Sequence, residues 1–156
     1  MKKHHCTVEE WTGAPQMDTG APVPAICLRG NQLFVAYIVS KPQTDSDTEE
    51  YAVVRFDGVR QHTFGYPNDE ALSGHPLFAT GLKFYAFNEI LFSPYLGDLG
   101  ARNAVAFPGT ESHFSGLRHW IVTFHDETLE VVGDSIAFVG AIGAESAAAA
   151  IARHAA

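Results

Sequence analysis

The chain has 156 residues, the length of one ordinary domain, and carries ten Lys and Arg against eighteen Asp and Glu, a formal net charge of -8. A chain of this size removes roughly 70% of its unfolded surface from water, so it can build a core without metals or disulfides. The acidic balance repels a phosphate backbone and argues against general nucleic-acid binding, and no stretch approaches the ~20 apolar residues of a membrane helix.

Met1-Lys2-Lys3-His4-His5-Cys6 starts basic but has no apolar run behind it, so no secretory signal is expected and a cytoplasmic location is the default. Cys6 and Cys27 are then reduced thiols without C-x-x-C spacing. Residues 1 to 25, with Gly13, Pro15, Gly20, Pro22 and Pro24, read as an extended arm anchored by Trp11. Leu33 to Val39 is short, β-branched and aromatic, and reads as a strand buried on both faces. A polar loop follows, with the acidic cluster Asp45, Asp47, Glu49 and Glu50.

Tyr51 to Phe56, Asp57-Gly58 and Val59 to Phe64 form a hairpin pattern, because Asp-Gly supplies the positive φ angles of a two-residue turn. That register sets Arg55 opposite Arg60, where the like charges call for an anion, supplied either by an internal carboxylate or by a ligand. Gly65 to Leu77 is a turn-rich excursion carrying Asn68, Asp69, Glu70, Ser73 and His75. Long loops of this kind carry sites or move. Asn68 and Asp69 also favour turns by bonding their own backbone, and His75 before Pro76 is held extended. Leu82 to Phe92, with Phe84, Tyr85 and Phe87, favours a strand, with a helix as the alternative. Pro94 to Asn103 reads as a short helical or irregular connection.

His119 to Gly133 is the most informative segment. With Asp126-Glu127 as a two-residue loop, Trp120, Val122, Phe124, Leu129 and Val131 make a core face, and His119, Thr123, His125, Thr128 and Glu130 make a polar one. The register predicts a diagonal pair of His125 and Glu130 with Thr123 between them. A carboxylate beside an imidazole fixes its tautomer and raises its basicity, as a general base requires. Ser135 to Val139 extends the second half, and Glu145 to Ala156 has strong helix propensity.

Eight histidines raise the question of a metal, but there is no H-x-H, H-E-x-x-H or Cys/His pair. Only a site assembled from distant residues, such as His75, His113, His125 and a carboxylate, would leave no trace. Gly133-Asp134-Ser135-Ile136 lies inside an expected strand with no strand-turn-helix elbow, which argues against Ser135 as a nucleophile.

The expected fold is mainly β, with α+β as the variant: six to eight antiparallel strands in a barrel or strongly bent sheet, closed by a short C-terminal helix, as a single domain over 1–156. The expected function is small-molecule binding, or cofactor-independent acid/base chemistry of the isomerase, cyclase or lyase type. His125, Glu130 and His75 are the candidate catalytic residues. Arg55, Arg60, Asp69, Glu70, Thr123 and Tyr85 are candidates for holding an anionic or carbonyl-bearing ligand. No cofactor or metal is expected, and the chain works alone or as a homodimer. The alternative is an acidic protein-binding module that neutralises a basic partner.

Overall fold

The computed structural model describes residues 5–43 and 47–155. Among them are nine strands: β1 (Thr7–Trp11), β2 (Ala25–Arg29), β3 (Gln32–Ile38), β4 (Glu49–Asp57), β5 (Gln61–Gly65), β6 (Phe87–Leu91), β7 (Arg118–Thr123), β8 (Thr128–Gly133) and β9 (Ser135–Ala144). Three helices accompany them: α1 (Pro94–Ala106), α2 (Ser112–Ser115) and α3 (Ala147–His154). The strands form two antiparallel sheets, ordered β1-β6-β7-β8-β5 and β2-β3-β4-β9. No described helix is long and apolar enough to cross a membrane.

The mostly β reading and the short C-terminal helix are what the structure has, but neither sheet closes into a barrel. Successive side chains on a strand point to opposite faces, and both faces of β3 and β4 are apolar for two separate reasons. Leu33, Val35, Tyr37, Ala52, Val54 and Phe56 meet Trp120, Val122, Phe124, Leu129 and Val131 of the other sheet in the main core. Phe34, Ala36, Tyr51 and Val53 face outward instead and are covered by Ala147, Ala150 and Ile151 of α3. A helix lid, not a barrel lumen, explains the doubly apolar strands. Ser146 caps that helix by accepting from the Ala149 N–H at 3.1 Å. The outer face of the five-stranded sheet is covered too, because Ile90 and Ile121 pack under Leu72 and Leu82 of the 66–86 excursion.

The sheets join at a bent ribbon. β4 pairs with β9 up to Asp57↔Ser135, and β5 pairs with β8 from Gln61↔Val132, so two strands turn the corner side by side. The Asp57-Gly58 hairpin is therefore not formed. Gly58 does take positive φ (63°), but it bends the strand between sheets instead of reversing it. Arg55 consequently lies opposite Phe34 and Ala137, its Nε donating to Asp57 at 2.9 Å, while Arg60 pairs with Asp134 at 3.4 Å. Each guanidinium thus has an internal carboxylate beside it, and the expected cross-strand pairing of Arg55 with Arg60 is not formed. Gly133, also at the corner, has the carbonyl oxygens of Asp57 and Gly58 3.0 and 3.3 Å from where a Cβ would stand. Backbone cannot yield as a side chain can, so Gly133→Ala is expected to cost about 2 kcal/mol, as overpacking typically does, read as a lower urea midpoint at unchanged slope.

Other expectations shift as well. The N-terminal arm contributes β1, which pairs along β6 from Thr7↔Leu91 to Trp11↔Phe87. The strand expected over Leu82 to Phe92 is confined to β6, and Lys83 and Ala86 instead form a bend tied to Asn88 and Thr123. β9 leaves the hairpin sheet to pair with β4. In the acidic loop Asp45 lies outside the described residues, and Glu50 is buried, accepting from the Gln43 N–H at 2.9 Å.

Candidate functional site

The β7–β8 hairpin sets the site. Its apolar positions face the core as read from the alternation, but its loop has four residues, closed by the Phe124 N–H donating to Glu127 O at 2.9 Å. The register moves by two, to Ile121↔Glu130 and Thr123↔Thr128. Face assignments survive a shift of two, whereas partners do not. Glu130 thus stands diagonal to His119, and His125 is carried past it into the loop.

Glu130 is shared by two imidazoles. His119 Nε2 lies 3.1 Å from Oε1, and His75 Nε2, arriving from the 66–86 excursion, lies 3.1 Å from Oε2. The surrounding bonds assign the protons. The Leu77 N–H donates to His75 Nδ1 at 3.0 Å, so the neutral ring carries its proton on Nε2 and donates it to Glu130. His119 is fully buried and likewise donates through Nε2, which leaves Nδ1 to accept from the Ser93 hydroxyl at 2.8 Å. Burial would raise the Glu130 pKa, but the hydrogen bonds from His119 and His75 outweigh it and hold the carboxyl at about 2. Glu130 is therefore an ionised anchor and a poor proton acceptor.

This cluster floors a cavity of about 470 Å³. Tyr66, Pro67, Pro76, Leu77, Tyr95 and Val132 give it apolar walls, with Gln61 and Asp98 among its polar lining. Gln61 Nε2 donates to the Tyr95 hydroxyl at 2.5 Å, and the Tyr95 ring lies 5.2 Å from that of His119. Asp98 is engaged by Arg102 at 2.6 Å, one helical turn on.

A second cluster gathers three more of the expected residues. The Tyr85 hydroxyl donates to Asp69 Oδ2 at 2.5 Å, His125 Nδ1 lies 3.0 Å from the same oxygen, and the two rings stack at 6.4 Å. The Tyr85 hydrogen bond, ahead of His125, lowers the Asp69 pKa despite desolvation. Tyr85 adopts φ of 53°, and the Asp69 N–H donates to His125 O at 2.9 Å. The Asp69 N–H to His125 O bond fastens the excursion to the hairpin tip, while the buried His125 Nδ1, though close to Asp69, makes no hydrogen bond among the described residues.

The expected diagonal of His125 and Glu130 is thus replaced by two pairings, His125 with Asp69 and Glu130 with His119 and His75. Thr123 is buried and structural, its hydroxyl donating to Lys83 O at 2.7 Å and accepting from the Ala86 N–H at 3.1 Å. Glu70 is exposed and belongs to neither cluster. His75, His113 and His125 do not converge, and among the described residues no group of three or more His, Cys, Asp or Glu is placed to hold a metal. Sequence reasoning missed Ser93 and did not use His119 as a partner of Glu130, although His119 was on the correct face. The signal for Ser93 was Ser93-Pro94, an N-cap followed by proline in the first helical turn.

No family model matches this chain, and no curated protein and no solved structure matches it either. The function therefore has to be argued from the site.

Proposed function

We propose that this chain binds a small, largely apolar molecule carrying a hydroxyl or amine donor, in the cavity floored by Glu130. The observation that carries this reading is an ionised carboxylate, pinned by two imidazole N–H groups, beneath apolar walls in a cavity of about 470 Å³. Ligand cavities run from ~300 to ~1,000 Å³ and combine apolar walls with a few fixed polar groups. A carboxylate offers about four lone-pair sites, of which the histidines use two, so acceptor capacity is left for a ligand donor.

Two earlier expectations change with the geometry. An anionic ligand would meet both Glu130 and Asp98, so a neutral or cationic donor is favoured. Proton abstraction by Glu130 is disfavoured by its low pKa, so binding and orientation are its role here. The acidic-module reading has less behind it, since Glu50 is buried and only Asp47 and Glu49 of the described cluster are exposed.

The test is a thermal-shift panel of phenols, aromatic amines and cyclic alcohols beside their matched carboxylic acids. A donor at a hundred times its dissociation constant is expected to stabilise the fold by about 2.7 kcal/mol. Leu77→Arg, which places a long cation in the cavity, is expected to abolish the shift. Equal stabilisation by the carboxylates, or a shift that survives Leu77→Arg, would refute the assignment.

A further inference from the structure

The relay does not end at His119. We infer that Ser93 is a nucleophile, activated by His119 with Glu130 as its positioning residue, in a second cavity suited to esters of small apolar acyl groups. This goes beyond ligand binding above Glu130 and does not depend on it.

The argument starts from the proton assignments. His119 Nε2–H donates a hydrogen bond to the ionised Glu130 at 3.1 Å, so the lone pair at Nδ1 is left to accept a hydrogen bond from the Ser93 hydroxyl at 2.8 Å. Nucleophile, base and carboxylate are thereby joined in one line by two hydrogen bonds, the arrangement that activates a serine. Ser93 also caps α1, its Oγ accepting from the Tyr95 N–H at 3.2 Å. A cap needs only an acceptor oxygen. It does not require a buried imidazole on the hydroxyl proton, nor a carboxylate behind that imidazole.

Placement adds to the case. Ser93 sits between β6 and α1, a strand-turn-helix position, directly after Phe92 at φ of 54°, a left-handed conformation that costs energy for a bulky residue. It lines a cavity of about 510 Å³ separate from the one at His75, with Ile90, Phe92, Leu96 and Leu117 as its apolar walls and Glu89, Glu111 and Arg118 also in its lining. The first turn of α1 borders this cavity, and its positive dipole end favours an oxyanion. Pro94 has no N–H to offer, so turnover is expected to be slow and covalent trapping the more sensitive readout.

In the step itself Ser93 Oγ bonds to the ester carbonyl carbon as its proton passes to His119 Nδ1. The tetrahedral adduct collapses, the bond to the alcohol breaks, and that alcohol leaves with the proton. Water repeats the sequence on the acyl-serine, releasing the acid and restoring the hydroxyl. Ester and water give acid and alcohol, with no other reactant.

The experiment is incubation of the folded protein with a small dialkyl fluorophosphate, followed by peptide mass mapping. One adduct at Ser93 is expected, with fluoride released, and none at Ser112 or Ser115 under the same conditions. Glu130→Gln turns an amide N–H toward His119 and reverses its tautomer, so Nδ1 becomes a donor to Ser93. Labelling should then fall ~100-fold or more, as loss of a general base does, while nitrogen NMR shows the His119 proton moved from Nε2 to Nδ1. An unlabelled Ser93 in the native protein, or a labelling rate unchanged by a folded Glu130→Gln, overturns the inference. If Glu130→Gln does not fold, the wild-type map alone decides. The ligand panel with Leu77→Arg reads the other cavity, so either assignment can fail while the other stands.

Discussion

Glu130→Ala is expected to lower the unfolding free energy by about 3 kcal/mol, among the largest effects of any polar substitution in this chain. The carboxylate is the shared acceptor of two imidazole N–H groups. Removing it leaves His119 Nε2 in a fully buried ring without a partner, and an unsatisfied buried donor costs ~1–3 kcal/mol. The His75 side chain is nearly as enclosed, but it borders the cavity, where water can replace part of the lost bond. The melting temperature should fall by roughly 6–12 °C for a chain of this size. Glu130→Gln keeps one acceptor oxygen and lets His119 reverse its tautomer, so about half that loss is expected. A loss under ~1 kcal/mol for Glu130→Ala would mean that the carboxylate does not hold both rings.

The same residue fixes an acid limit on stability. Its pKa is about 2 in the fold against the usual 4.5. A depressed carboxyl contributes stability that is fully present above the unfolded value and lost as pH falls through the folded one. The window is therefore about pH 4.5 down to about 2, and the amount lost is on the order of 3 kcal/mol. Unfolding measured across that window should fall more steeply for the wild type than for Glu130→Gln, which has no proton to take up there. Parallel slopes would contradict the assignment.

What the sequence disclosed depended on how local the cause was. The alternation through Trp120, Val122, Phe124, Leu129 and Val131 placed a face correctly because side-chain direction is set within one strand. The partner of Glu130 was not local. It depended on whether the loop held two residues or four, and on a histidine 55 positions away in an excursion with no regular pattern. Asp57-Gly58 shows the same limit. The dipeptide supplies a positive φ, and that angle served a bend between sheets because β9 and β8, far along the chain, provided better partners than β5 could offer β4. Ser93 was legible as a helix start. Its bond to His119 was not, since the two meet only once β6 and β7 pair.

Trp120→Ala is expected to cost about 4 kcal/mol, within the range for emptying a buried aromatic site. The indole is fully buried where the two sheets meet, its ring 5.3 Å from Phe56 of β4 and 4.9 Å from the Arg118 guanidinium carbon. Alanine would leave a cavity on the far side of the strand that presents His119, and the sheets cannot close on it without disturbing that register. Trp120→Phe separates shape from polarity. The indole Nε1 is buried without a hydrogen-bond partner, and phenylalanine removes that N–H while keeping a ring against Phe56. Its cost should stay below ~2 kcal/mol, because the smaller void is offset by relief of an unsatisfied donor. Urea unfolding of the two variants decides the matter. A midpoint for Trp120→Phe near that of Trp120→Ala would show that the indole N–H is paired in solution, whereas a midpoint near the wild type would show that this sheet-to-sheet contact is held by ring packing.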